Sequence, residues 1–109
     1  MAYSYKVLAQ SAPSAVTNTN VYTVPSSTQA IVSSITVANR SASGTTFRIA
    51  IRPAGATLAN QHYIAYDVTL APNDTTILTI GITLAATDVV TVYASTANLS
   101  FNIFGSEIS

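Results

Sequence analysis

Short runs of alternating apolar and polar residues, each ended by turn residues, extend along nearly the whole chain. In the clearest run, Phe47 and Ile49 alternate with Arg48, as expected for a strand that buries one face. Turn signals such as Ser41–Gly44 interrupt the alternation at intervals of roughly 8–12 residues, and no segment has the spacing of an amphipathic helix. The pattern predicts an all-β fold, a single antiparallel β-sandwich of about eight strands.

The alternation places the strands, and the turns between them predict some of the pairings. We predict strands at residues 3–7, 21–24, 29–39, 47–52, 63–70, 78–84, 89–94 and 99–104. Ser41–Gly44 predicts a hairpin between its flanking strands, and the last two strands are predicted to pair around Ser95–Asn98. The strand order does not follow from the sequence, so jelly-roll and immunoglobulin-like topologies both remain open.

Alternation also predicts which side chains share a face. Ile31 and Ile35 are predicted to lie on the same face of their strand, and so are Ile64, Tyr66 and Val68 on theirs. The chain shows no repeat or linker, so we predict one domain over residues 1–109. Within it, residues 1–20 are predicted to form an extended N-terminal arm that reaches a neighbouring subunit.

Charged side chains are scarce: the 109 residues include four basic and four acidic ones, and the net charge is zero. A typical soluble domain is about a quarter charged, and free monomers use that charge to stay dissolved and to protect sheet edges. We therefore expect much of this surface to be covered in an assembly. Zero net charge also gives no electrostatic basis for binding nucleic acid or an anionic membrane.

Several kinds of site and location are disfavoured by the residues present. The chain has no cysteine, which excludes disulfides and thiolate metal sites. The first residues lack the basic and apolar regions of a secretory signal, and no apolar stretch reaches the roughly 20 residues of a membrane helix. We expect a protein that is made in a cytoplasm and does not enter a membrane.

The residues that could carry catalysis are few and scattered. His62 is the single histidine, and on a continuous strand Asp67 would face the opposite side, so the two do not predict an acid–base site. Asp74 and Asp88 lie in predicted turns, where aspartate caps backbone N–H groups. We therefore predict that the protein is not an enzyme and binds no metal, cofactor or small-molecule substrate.

Arginine and tyrosine provide the candidate interface residues. Arg48 and Arg52 lie four positions apart on one predicted strand, so they share a face, and Arg40 precedes the nearby turn. Arginine and tyrosine are enriched in protein interfaces, although the solvated polar face of an ordinary sheet is an equal alternative for the arginines. The candidate interface residues are Tyr3, Tyr5, Arg40, Arg48, Arg52, Tyr63, Tyr93 and Glu107.

Six segments, taken in order, carry a resemblance to a known family. They are residues 21–28, 31–40, 47–55, 62–68, 74–92 and 99–107. Together they resemble small virion structural proteins of tailed bacteriophages, including phages of cyanobacteria, over nearly the entire chain. The resemblance implies a non-enzymatic β-sandwich that is built into the virion and made in the host bacterial cytoplasm. It brings no catalytic or ligand-binding motif.

The resemblance leaves the position in the particle open. In the favoured interpretation the chain is a capsid decoration or cement protein, a homotrimer that stabilises the lattice of the major capsid protein. Alternatively it is a tail, neck or fibre-attachment component whose oligomer follows the symmetry of the tail. A third hypothesis is a carbohydrate-binding module of a host-recognition fibre, with tyrosine side chains as a sugar platform.

Overall fold

The structure, a computed structural model, describes residues 2–109 and confirms the all-β prediction. Besides two 3-10 turns at residues 53–55 and 60–62, the regular elements are strands. The strands are β1 (Tyr3–Ser11), β2 (Thr19–Thr23), β3 (Gln29–Asn39), β4 (Thr45–Arg52), β5 (Tyr63–Leu70), β6 (Thr75–Leu78), β7 (Ile82–Leu84), β8 (Val89–Ala94) and β9 (Leu99–Ile108). The predicted strand at 78–84 is divided into β6 and β7, and in the described chain no helix is long and apolar enough to cross a membrane.

The strands form two antiparallel sheets that pack face to face. Sheet A has the order β1-β9-β3-β6, and β7 lies beyond β6 along the same edge of β3. Sheet B has the order β2-β8-β4-β5. Each pairing within the two sheets is antiparallel, so the fold is the predicted β-sandwich.

The pairings are nested, and this decides between the two topologies left open by the sequence. β1 pairs with β9, β2 with β8, β3 with β6 and β7, and β4 with β5. The chain therefore folds back on itself once, at β4–β5, and the resulting double strand is rolled across both sheets. This order is that of a jelly roll and not of an immunoglobulin-like sandwich.

Two predicted hairpins are wrong. β3 lies in sheet A and β4 in sheet B, so Ser41–Gly44 crosses between the sheets and does not join paired strands. Likewise β8 lies in sheet B and β9 in sheet A, so Ser95–Asn98 is also a crossing. The buried side chain of Asn39 holds the first crossing in place by donating to the Ser43 and Ala71 carbonyls at 2.8 and 3.1 Å. Short polar connections of this kind serve both purposes, so local sequence does not distinguish them.

The predicted extended arm is not present in the described part of the N-terminal segment. Tyr3–Ser11 is strand β1, which pairs with β9 and forms one edge of sheet A. The backbones of Ala2 and Ser109 continue this ladder with hydrogen bonds in both directions, and β2 begins at Thr19. The alternating pattern of this segment is that of a strand of sheet A, which pairs with β9 along its length. Met1 lies outside the described residues.

The core lies between the inner faces of the two sheets. Phe47 of sheet B and Phe101 of sheet A meet edge to face at its centre, with ring centroids 6.2 Å apart. Burying an aromatic or large aliphatic side chain stabilises the fold by about 1.5–3 kcal/mol, so this layer holds the sheets together. Its buried apolar residues are Tyr22, Val24, Ala30, Val32, Ile35, Val37, Phe47, Ile49, Leu70, Leu84, Val90, Val92, Ala94, Leu99, Phe101 and Ile103.

A bulge in β3 changes which residues face the core. The pairing of β3 with β9 shifts between Val32 and Ser34, so one extra residue interrupts the alternation. Val32 before the bulge and Ile35 after it are both buried, whereas Ile31 is exposed on the outer face. The prediction that Ile31 and Ile35 share a face is therefore wrong.

Gly105 of β9 lies beside this bulge, where the backbones of β3 and β9 approach closely. A Cβ atom at this position would lie 1.9 Å from the carbonyl oxygen of Ile31. No side chain can be accommodated at that distance without moving backbone, so glycine is a steric requirement here.

Candidate interaction surfaces

The outer face of sheet B carries an arginine that lies among tyrosines. Arg48 of β4 is paired with Tyr93 of β8, between inward-facing pairs, so both side chains point away from the core. Arg52 follows four residues later on the same face, as predicted. The outward positions of these two central strands bring together residues that are 45 positions apart in the chain, Arg48 and Tyr93.

A bulge in β5 adds two more side chains to this face. In the β4–β5 pairing, Phe47 is opposite Val68 and Ile49 is opposite Ala65, so Tyr66 and Asp67 both lie beside Arg48. Asp67 has a φ of 50°, a left-handed conformation that aspartate tolerates better than most residues. The bulge also reverses the alternation. Tyr66 is 56% exposed, whereas Val68 turns inward against the core, so the prediction that they share a face is wrong.

These residues form one connected set, the Tyr–Arg cluster, which we define as Arg48, Tyr63, Tyr66, Asp67 and Tyr93. The Arg48 guanidinium lies over the Tyr66 ring at 4.2 Å and over the Tyr93 ring at 4.4 Å from the ring centroids. Its Nε and Nη2 donate to the two carboxylate oxygens of Asp67 at 2.6 and 3.3 Å. Tyr63 meets the Tyr66 ring edge to face at 4.9 Å.

The cluster fixes Arg48 and leaves aromatic surface exposed. Two ring faces and a bidentate carboxylate restrict the guanidinium to one plane. The hydrogen bonds that Arg48 donates to Asp67 also raise the pKa of its guanidinium above the ordinary value. Because Asp67 neutralises that cation, the cluster presents an amphipathic aromatic surface with no net charge.

Arg52 shares the face but has a different role. Its guanidinium donates to the carbonyl oxygens of Gly55 and Ala56 at 3.1 and 2.7 Å, and to Asn20 Oδ1 at 2.9 Å. These bonds hold the 53–56 loop against β2, so the donors of Arg52 are used within the chain. Arg52 was predicted as an interface residue together with Arg48, and the structure places it in an intramolecular network.

Arg40 and Glu107, two further candidate residues, also have partners within the chain. Arg40 donates from Nη2 to the Ala97 carbonyl at 3.0 Å, which ties the two sheet crossings together. Glu107 accepts a hydrogen bond from the Tyr22 hydroxyl at 2.5 Å and forms an ion pair with Lys6 at 2.6 Å. Both partners favour the ionised carboxylate, Lys6 more than Tyr22, so the pKa of Glu107 is lowered. Burial and the same carboxylate raise the pKa of Tyr22.

The second exposed surface lies on the outer face of sheet A, beside β1. Tyr3, Tyr5 and Val7 alternate along β1 and are exposed, Tyr5 by 84%. The register places Val7 beside Phe104, and Ile31 lies in the same row as Tyr5. We call these five residues the β1 face. Thus of the four candidate tyrosines, Tyr63 and Tyr93 belong to the Tyr–Arg cluster, and Tyr3 and Tyr5 belong to the β1 face.

The residues considered for catalysis have structural contacts. His62 is buried, and its Nδ1 accepts a hydrogen bond from the Ala59 N–H at 3.0 Å. Asp88 accepts from the backbone N–H groups of Ala54 and Ala85, both at 2.9 Å, as predicted for a turn cap. Asp74 accepts from the N–H of the next residue at 2.8 Å. Across residues 2–109, no group of three or more histidine, aspartate or glutamate side chains is placed to hold a metal ion.

Two residues of the Tyr–Arg cluster were missed by sequence reasoning. Tyr66 was predicted to share a face with Ile64 and Val68, and Asp67 was considered only as a partner of His62. The available signal was an aspartate within an otherwise uncharged strand, because aspartate is depleted in strands and is tolerated at bulges. Its pairing with Arg48 depends on the register between β4 and β5, which the sequence does not state.

Comparisons of the chain with protein-family models, with curated proteins and with solved structures found no match.

Proposed function

We propose that this protein is a non-enzymatic structural component of a tailed-phage virion, and that it binds a neighbouring virion protein through the Tyr–Arg cluster. The observation that carries the proposal is the fixed Arg48 guanidinium beside two tyrosine rings, in an exposed cluster without net charge. In the favoured form the chain is a homo-oligomeric capsid decoration or cement protein that stabilises the lattice of the major capsid protein.

The composition and rigidity of the cluster support a binding role. Tyrosine and arginine are, with tryptophan, enriched among the residues that dominate interface energies. A side chain that is already fixed loses little conformational entropy when a partner covers it, so more of the contact energy becomes affinity. Tyr66, which is 56% exposed, gives the partner a large apolar surface with a polar hydroxyl at its edge.

The distribution of charge supports coverage by other subunits. All four acidic residues, Asp67, Asp74, Asp88 and Glu107, have their carboxylates hydrogen-bonded within the chain. With eight charged side chains in the whole chain, the outer faces are poor in charge, although a free monomer depends on such charge to remain dissolved. A surface of this kind is stable in a crowded lattice where neighbours cover it.

The fold agrees with the proposal without determining it. Jelly rolls occur in viral capsid proteins and in lectins, and one fold can carry many functions. The resemblance of the six sequence segments to small phage virion proteins adds independent support. Placement on the capsid, and not on the tail or neck, rests on the small size of the single domain.

A carbohydrate-binding role is the second candidate, favoured by one feature of the cluster. The exposed ring of Tyr66 lies next to the hydrogen-bonding groups of Asp67 and Arg48, and a sugar presents both an apolar face and hydroxyl groups. A glycan array probed with the isolated protein tests this role. Binding that is lost in Tyr66→Ala would favour it over the structural role.

The copy number of the protein in purified phage particles tests the main proposal. Quantitative mass spectrometry against the major capsid protein is expected to give hundreds of copies per particle, in a fixed ratio to the capsid lattice. A few to a few tens of copies would assign the protein to the tail or neck instead. Absence from washed, intact particles would refute a virion role.

A further inference from the structure

β1 and the β6–β7 pair form the two edges of sheet A, and they differ in how well they are protected. At one edge, β6 and β7 have four and three residues and are interrupted between Leu78 and Ile82. Short and broken edge strands resist pairing with other chains. At the other edge, β1 has nine residues. Its Tyr3–Val7 part is in regular register with β9, and the first irregularity follows Val7.

The hydrogen-bonding phase of β1 leaves backbone groups directed outward. Ala2 and Ser109 exchange both backbone hydrogen bonds, at 2.7 and 2.9 Å. In an antiparallel ladder such pairs alternate with pairs that exchange none. Ser4 and Lys6 therefore bond to β9, whereas Tyr5 and Val7 direct their N–H and C=O groups away from it, towards the free edge. The same two residues have exposed side chains.

The charge that would protect this edge is directed elsewhere. Lys6 is the one charged residue of β1, and an edge lysine normally discourages pairing. Here its ammonium group forms an ion pair with Glu107 at 2.6 Å, on the opposite face of the sheet from Tyr5. The outward edge at Tyr5 and Val7 is thus uncharged and regular.

We propose that β1 pairs antiparallel with β1 of a second copy of this chain, around a two-fold axis beside Tyr5. This register places Tyr5 opposite Tyr5 and Val7 opposite Tyr3, so the apolar residues of the two β1 faces become continuous. It also places Lys6 opposite Ser4. A register shifted by one residue, centred on Lys6, would place two lysines opposite each other, which is destabilising. A register centred on Val7 would extend beyond the irregularity that follows it.

The occupant of this edge is a second copy because the surface is complementary to itself. A two-fold contact uses the same residues on both sides, and the Tyr5-centred register satisfies hydrogen-bonding phase, polarity and charge together. Copies of a chain with zero net charge also do not repel each other at long range. Such pairing would join two sheets A into one sheet of twice the number of strands. It gives a two-fold contact, whereas the resemblance favours a trimer.

Self-association of the isolated protein tests the inference. The measurement uses no phage particles, so failure of the dimer inference can be distinguished from failure of the proposed virion function. Sedimentation equilibrium is expected to show a dimer for the natural sequence. Tyr5→Lys places a free charge at the two-fold axis and is expected to weaken the dimer at least about tenfold. Ile77→Lys is the matched control, because Ile77 is 64% exposed on the opposite edge of the same sheet. This variant is expected to leave the dimer intact.

Tyr5→Pro adds a test of the backbone bonds. The Tyr5 N–H points away from β9, so proline removes an intermolecular donor and leaves the β9 ladder in place. Circular dichroism is expected to show a retained fold with loss of the dimer, and if the proline variant unfolds, Tyr5→Lys still decides the matter. A natural protein that stays monomeric at all concentrations, a trimer, or a dimer that survives Tyr5→Lys would each overturn the inference.

Discussion

Both outer faces of the sandwich expose tyrosine, but the surrounding residues give the two sets different properties. On sheet B, Tyr66 and Tyr93 enclose a guanidinium whose charge is balanced by Asp67. On sheet A, Tyr5 extends from an edge strand into solvent and is 84% exposed. The first set is a preorganised surface for side-chain contacts, and the second accompanies outward backbone groups that another strand can pair with.

The contrast shows that backbone irregularity, more than residue type, determines what an exposed tyrosine can do. On sheet B the bulge at Asp67 brings Tyr66 beside Arg48. On sheet A the register of Tyr5 with β9 is regular, so the N–H and C=O groups of Tyr5 point towards the edge, where another strand can pair with them. We therefore propose a different protein as the partner of the sheet B surface and a second copy as the partner of the sheet A edge.

The largest expected effect is on sheet A, at Gly105. In Gly105→Ala the new Cβ would meet the Ile31 carbonyl oxygen at 1.9 Å, so β3 and β9 must separate. We expect a loss of about 3 kcal/mol in the free energy of unfolding, the upper end of ordinary overpacking, measured by urea denaturation. Gly81→Ala is the control, since no heavy atom lies within 4 Å of its Cβ position. Equal stability of the two variants would contradict the close approach.

The next effect concerns the particle contact on sheet B. Tyr66→Ala removes the most exposed ring of the Tyr–Arg cluster, and truncation of a dominant interface residue weakens binding about 30-fold. Binding to particles that lack the protein, measured by co-sedimentation, is expected to fall by that factor. Ile77→Ala on sheet A is expected to bind normally. Undiminished binding of Tyr66→Ala would remove the cluster from the contact.

A smaller effect is expected from the bulge that builds the cluster. Asp67 has a φ of 50°, and a residue with a Cβ but no side-chain acceptor is strained in this conformation by about 1 kcal/mol. Asp67→Ala and Asp67→Gly both lose the carboxylate that binds Arg48, and only alanine keeps a Cβ in this conformation, so the alanine variant is expected to be about 1 kcal/mol less stable than the glycine variant. Urea denaturation of the two variants separates the contributions. If the alanine variant is as stable as the glycine variant, strain at this position is absent.

The smallest effect is the pH dependence from Glu107. Lys6 and the Tyr22 hydroxyl lower the pKa of this carboxyl below its ordinary value of 4.5. Because the folded-state pKa is depressed, the stabilisation is complete above the ordinary value and is lost as the pH falls through the folded-state value. The natural protein should lose more stability on acidification than Glu107→Gln does. Parallel stability curves for the two proteins would show that Glu107 titrates normally.

Much of the fold follows from the sequence because alternation is local. Phe47 and Ile49 are buried as the pattern predicts, and the breaks between strands fall at the predicted turns, except the break between β6 and β7. The failures occur where long-range pairing decides. A bulge near Ser34 reverses the alternation of β3, and its position depends on the register with β9. The jelly-roll order also decides which connections join paired strands and which cross between the sheets. The turn sequences do not reveal that order.

The types of residue on the candidate surfaces were predictable, but which side chains contact each other was not. Arg48 and Arg52 share a face as expected, but they make different contacts. Arg52 is held by the carbonyls of the loop that returns beside it, whereas Arg48 meets two tyrosines from other strands. The participation of Tyr66 required knowledge of the β5 bulge. Equal spacing on one strand therefore did not imply equal function.

Amide hydrogen exchange of the free and the particle-bound protein tests the division between the two surfaces most directly. We expect Tyr5 and Val7 to be protected already in the free protein, because β1 is paired in the dimer. We expect the segment around Tyr66 and Asp67 to gain protection only on the particle. No gain in protection around Tyr66 and Asp67 on binding to the particle would contradict the assignment of the sheet B surface to a virion partner.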